Sequence, residues 1–139
     1  MIDLSDIAGF PVTLNDDGFL EFGQGVMAPE PEARRRSDMI EVLLYPEQGG
    51  PDVLYHMYRA TGLEKDRIPM MNARLRYDIT VIHPGKIGSE YIKTFGHYHP
   101  MAPGQLYTYP EVYQALHGKA HFLMQKGGDV TGEIEDFVI

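Results

Sequence analysis

Short β-rich runs separated by glycine turns fill the chain from Val53 to Gln125, and no helical pattern lies between them. Val53–Tyr58 is rich in β-formers, and Leu75–Ile82 alternates apolar with polar residues. Pro84–Gly88 reads as a turn. Tyr91–Thr94 and Val112–Leu116 follow as strands, then a turn at His117-Gly118-Lys119 and a last strand at Ala120–Gln125. Parallel strands need a crossover of about a dozen residues or more, usually helical. With no such segment, the pattern predicts an all-β antiparallel sandwich or small barrel.

The first 52 residues have a different texture. Short apolar pieces alternate with the turn residues Asn15-Asp16-Asp17-Gly18 and Pro29-Glu30-Pro31, which predicts an arm with two short strands in residues 1–33. A short helix is expected to begin at Ser37 or Asp38, since either supplies a capping oxygen. Asp38 and Glu41 stand three apart, and Met39, Ile40, Leu43 and Leu44 form an apolar stripe before Pro46. Glu47–Asp52 is a loop. The expected organisation is therefore an arm and helix over 1–52 and a β-barrel over 53–139, forming one structural unit.

Composition removes several function classes. Twenty acidic residues against 12 basic give a net charge of −8, and only Arg34, Arg35 and Arg36 cluster. Nucleic-acid binding needs a basic face that displaces counterions, so none is expected. There is no cysteine, which excludes disulfides, thiolate metal sites and cysteine nucleophiles. The N-terminus MIDLSDIAGF carries acid where a signal peptide carries base, and no apolar run reaches membrane length. A cytoplasmic location without membrane association is the expectation.

One stretch carries chemistry. His97 and His99 are one residue apart, 11 residues precede Glu111, and Gly118 follows after six more. Side chains alternate faces along a strand, so an extended segment would place both imidazoles on one side. With a carboxylate they form the two-histidine, one-carboxylate set that binds divalent transition metals and leaves positions open. Pro100, Pro103, Gly104 and Pro110 make the insert a loop. On spacing alone, two surface histidines near a solvated glutamate account for the pattern equally well.

H-x-H, a later Glu, six residues and Gly form the first motif of the cupin superfamily. The longer pattern Thr94, Gly96, His97, His99, Glu111, Tyr113, Leu116, Gly118 and Gln125 resembles the cupin-type glucose-6-phosphate isomerases of archaea and some bacteria. Arg35-Arg36-Ser37-Asp38-Met39 resembles a family RR-x-SDM segment, and Thr80–Gly88 resembles the family's TVLYPGKVG. The matches run in order from 35 to 125. Ala120 departs from a frequent glycine. No counterpart of the second cupin motif, a proline-rich turn and an Ala-His supplying a fourth metal ligand, follows residue 125. Three explanations are open: a barrel incomplete at the C-terminus, completion by a partner chain, or another histidine in the role, with His83 and His121 as internal candidates.

The resemblance implies a cupin barrel that interconverts glucose 6-phosphate and fructose 6-phosphate, a step of glycolysis and gluconeogenesis. It implies one divalent metal, iron(II) foremost with manganese, nickel or zinc as alternatives, held by His97, His99 and Glu111. Glu111 is also the candidate general base of an enediol route, with a hydride shift as the competing mechanism. The positions matching the phosphate site are Tyr58, Thr80, Thr94, the backbone of Gly96, and Tyr113. A homodimer is the expected assembly and a small-molecule sugar phosphate the expected partner. A cupin iron oxygenase with the same three ligands and a non-catalytic, truncated sugar-phosphate-binding cupin are the rival readings.

Overall fold

The computed structural model describes residues 1–125 and 134–139; the stretch where a second motif would begin lies partly outside them. Every ladder among the described residues is antiparallel, as the expected all-β class requires, and no sheet closes into a barrel. The chain divides into two compact units, Met1–His97 and Tyr98–Ile139.

The N-terminal segment holds more structure than an arm. β1 (Ile2–Asp3), β2 (Val12–Leu14) and β3 (Leu20–Phe22) form a three-stranded sheet, with a single-turn helix α1 (Ser5–Ala8) between the first two. The predicted turn at Asn15–Gly18 joins β2 to β3. Asn15 Oδ1 accepts the N–H groups of Asp17 and Phe19, and Gly18 takes φ +82°, a left-handed backbone that side chains disfavour. β4 (Val26–Met27) pairs with β7 (Gly62–Leu63).

The central sheet has the order β5 (Glu32–Arg35), β6 (Val53–Tyr58), β8 (Ile79–Ile82). Its first strand comes from the segment before residue 53, so the two halves expected from sequence share one ladder, Ala33 opposite His56 and Arg34 opposite Tyr55. The strand Val53–Tyr58 is found as predicted, and from Leu54 to Tyr58 it is buried on both faces. Tyr55 and Met57 join Met39, Leu43, Leu54 and Ile87 in the core. His56 and Tyr58 meet the first sheet, through Phe19 and Phe22 respectively.

The predicted helix forms over Arg36–Val42 as a 3-10 helix. That change of pitch rewrites its apolar face. At three residues per turn, Met39 and Val42 stack above one another toward the core, while Ile40 turns out to solvent. Asp38 accepts the Arg35 N–H and fixes the entry to the helix. A helix not expected from the sequence, α2 (Arg67–Asn72), carries Pro69 in its first turn, where a missing N–H costs nothing.

Three predicted strands are corrected. The ladder expected over Leu75–Ile82 begins only at Ile79. The turn expected at Pro84–Gly88 is a hairpin, β9 (Lys86–Ile87) with β10 (Glu90–Tyr91), so Tyr91 is the only member of the expected Tyr91–Thr94 strand in a ladder. Lys93 instead reaches the Val42 carbonyl and Glu90. Val112–Leu116 forms no strand and is largely exposed. In the second unit, β11 (His121–Gln125) pairs with β12 (Ile134–Val138) in a two-stranded ladder.

His56 is 7% exposed, and its Nδ1 lies 2.9 Å from His83 Nε2, so one ring donates to the other. Burial, and then the neighbouring His83, hold His56 below the ordinary histidine value of 6.5. The unfolded chain therefore binds its proton first as pH falls. Stability is unaffected by His56 above about pH 6.5 and declines below it until the folded histidine also titrates. We expect the melting temperature to fall as pH drops below about 6.5, with a shallower slope in His56→Gln when the two are compared by thermal scans.

Candidate metal centre

The insert between His99 and Glu111 folds back on itself. Met101 bridges Thr108, the Ala102 N–H donates to the Tyr107 carbonyl, and the Tyr109 N–H donates to the Pro100 carbonyl. Gly104 takes φ +72° at the tip of this reversal. The fold-back returns Glu111 to His99 without the strand pairing expected from sequence, since neither His97–His99 nor Glu111 lies in a ladder. One ligand atom from each of His97, His99 and Glu111 lies within 4.8 Å of the others.

The geometry of His99 is informative. Its Nδ1 lies 3.2 Å from the Tyr109 carbonyl oxygen and its Nε2 lies 3.1 Å from Glu111 Oε2. A carbonyl only accepts, so the ring carries a proton on Nδ1 and presents the Nε2 lone pair to a carboxylate that also only accepts. Two acceptors so close require positive charge between them, either a second ring proton or a shared cation. At 3.1 Å the two atoms are within hydrogen-bond distance and close enough that both could hold one ion. A backbone carbonyl behind a ligating histidine is also the usual way its tautomer is fixed. The donor set suits iron, manganese, nickel or zinc.

Tyr113 leans on this group. Its hydroxyl donates to Glu111 Oε2 and its ring packs against Phe122 at 4.7 Å. Burial of the ring, then the hydrogen bond and charge of Glu111, push its hydroxyl up to about 12. The Tyr109 carbonyl and Phe122 were not legible as site residues, because both act only once the insert has folded back.

The remaining predicted residues are placed as follows. Thr80 is exposed on β8, opposite Met57. Thr94 and Gly96 are both exposed, on either side of Phe95, whose N–H donates to the Tyr55 hydroxyl. Tyr58 is 2% exposed, and its hydroxyl accepts the Leu20 N–H at 2.9 Å. That bond ties the central sheet to the first one. Tyr58→Phe leaves the buried Leu20 N–H without its acceptor and is expected to cost about 1–3 kcal/mol in chemical denaturation. Of the two further histidines considered as ligands, His83 pairs with His56, and His121 faces Asp136 at 3.3 Å. Neither belongs to the three-residue group.

Comparison with known proteins places the chain in a family. A family model described as glucose-6-phosphate isomerase (GPI) matches residues 33–139. The glucose-6-phosphate isomerase of Thermococcus litoralis is 33% identical over 113 residues, covering 76% of this chain and 54% of that protein. That of Pyrococcus horikoshii is 32% identical over 113 residues with the same coverage, and that of Thermococcus onnurineus is 37% identical over 73 residues, covering 52% of this chain and 33% of that protein. The chain thus spans about half the length of the curated relatives it matches. No solved structure matches it. With most of its length and all three candidate ligands inside the matched region, the chain belongs to the glucose-6-phosphate isomerase (GPI) family.

Proposed function

We propose that the protein interconverts glucose 6-phosphate and fructose 6-phosphate at a divalent metal, iron(II) foremost with manganese, nickel or zinc as alternatives, held by His97, His99 and Glu111. The observation that carries this reading is the convergence of His97, His99 and Glu111, with His99 Nε2 3.1 Å from Glu111 Oε2, on a chain of this family. When bound, such an ion supplies Lewis acidity that polarises the sugar carbonyl and orients its neighbouring hydroxyl.

The chain's own residues supply the rest. The reaction moves one proton from C2 to C1 and a second between the two oxygens, so it needs a base within hydrogen-bond reach. Glu111 is that base: one carboxylate oxygen is committed to Tyr113 and His99, and the other is left to exchange a proton with the sugar. The phosphate anchors at Thr80, Thr94 and the backbone of Gly96, whose hydroxyls and N–H donate to an anion and whose missing Cβ permits close approach. Tyr58 belongs to the same matching set, with its hydroxyl held by Leu20. The partners we propose are this sugar phosphate and a second copy of the chain. The apolar Leu123, Ile134 and Phe137 are exposed on a two-stranded sheet, and an isolated pair of strands is marginal without a covering surface. The net charge of −8 disfavours nucleic acid. No helix among the described residues is long and apolar enough to cross a membrane. A phosphorylated sugar is a cytoplasmic metabolite, because its charge prevents passage through a bilayer, so the proposed setting is the cytoplasm, in glycolysis and gluconeogenesis.

The test is a coupled assay that follows glucose 6-phosphate formation from fructose 6-phosphate. Turnover that rises with added metal supports the reading. Binding of the sugar phosphate without turnover at any metal supports a binding protein instead, and oxygen consumption supports an oxygenase.

A further inference from the structure

We propose that Tyr113 is a positioning residue for the metal centre: its hydroxyl holds the Glu111 carboxylate in ligating orientation instead of binding phosphate. The inference rests on the metal site proposed above and concerns how that site is built. A tyrosine hydroxyl has one proton to donate. In this structure that proton goes to Glu111 Oε2. A phosphate group, rich in acceptors, would need the same proton. The two roles therefore compete, and the geometry assigns the hydroxyl to the carboxylate.

The setting of Tyr113 supports this role. It stands two residues beyond Glu111 on a segment that belongs to no ladder, so the backbone alone leaves the carboxylate free to swing. The Tyr113 ring is fixed by Phe122 at 4.7 Å with an interplanar angle of 50°, and Phe122 lies in the β11–β12 ladder opposite Phe137. The route runs from paired strand to aromatic contact, to hydroxyl, to ligand. His99 has the parallel device, its Nδ1 held by the Tyr109 carbonyl. Both second partners act on ligand atoms that converge on one point, and such partners commonly change metal affinity by about 10–100-fold when removed.

Tyr113→Phe removes the hydroxyl and keeps the ring on Phe122. Mn2+ affinity is measured by titration calorimetry, and the visible absorption of the Co2+-loaded protein is recorded as a direct reading of ligand geometry. We expect Mn2+ to bind about 10–100-fold more weakly than in wild type, with a shifted Co2+ spectrum. Phe122→Leu, which keeps the hydroxyl and loosens the ring, is expected to fall between the two. Unchanged Mn2+ affinity and Co2+ spectrum in Tyr113→Phe, with only KM for fructose 6-phosphate raised, would overturn the proposal and return Tyr113 to the phosphate site. A wild-type protein that takes up no Mn2+ or Co2+ would overturn the metal centre itself, and this role with it.

Discussion

Chelation is expected to abolish the proposed isomerisation of fructose 6-phosphate, and iron, manganese, nickel or zinc to restore it. That is the expected result of dialysis against a strong chelator followed by metal addition. Removing the ion takes away several kcal/mol of charge stabilisation, so the rate should fall on the order of 10³-fold. His99→Ala should reproduce the loss without a chelator, because it deletes the ligand whose Nε2 approaches Glu111 at 3.1 Å. Glu111→Gln separates two roles. It weakens the metal and removes the proposed base, and loss of a general base alone costs about 10²–10⁴-fold. Saturating metal should therefore rescue Glu111→Gln only in part. Full recovery at high metal would show that Glu111 ligates but moves no proton.

The second large effect concerns the scaffold. Leu54→Ala is expected to destabilise the first unit by about 2–5 kcal/mol, read as a lower denaturation midpoint in urea. Leu54 is 0% exposed on β6 and packs within the cluster of Met39, Leu43, Tyr55, Met57 and Ile87. Its strand is bonded on one side to β5 and on the other to β8, so the backbone cannot move in to fill the lost volume. The cost should lie toward the cavity-forming end of that range. Leu44→Ala is the control. Leu44 is 68% exposed and should change stability by no more than about 0.5 kcal/mol. A Leu54→Ala variant as stable as wild type would mean that this cluster is not the core.

What could be read from the residues was the part fixed by local chemistry. Val53–Tyr58 is a strand because β-formers run unbroken there, and Asn15–Gly18 is a turn because its side-chain oxygen and its glycine both favour one. His97, His99 and Glu111 stood out as candidate ligands through the longer family pattern around them, since their spacing alone fits surface residues equally well. What could not be read was decided at a distance. The segment 1–33 looked like an arm because its strands span two to four residues, too short to show periodicity, and they are held by pairing alone. Val112–Leu116 has the composition of a strand but no partner ladder, and backbone pairing is what makes a strand. The helix at Arg36–Val42 was placed correctly, yet its pitch followed from tertiary packing, which put Ile40 in water. In the site, the backing of His99 by a main-chain carbonyl has no signature in any side chain.

The most direct test of the account is the metal stoichiometry of wild type and His99→Ala, measured by Mn2+ electron paramagnetic resonance titration. We predict one tightly bound Mn2+ per wild-type chain and none in His99→Ala, with the variant still folded by circular dichroism. Equal Mn2+ binding by both proteins would contradict the assignment of His97, His99 and Glu111 as the metal centre.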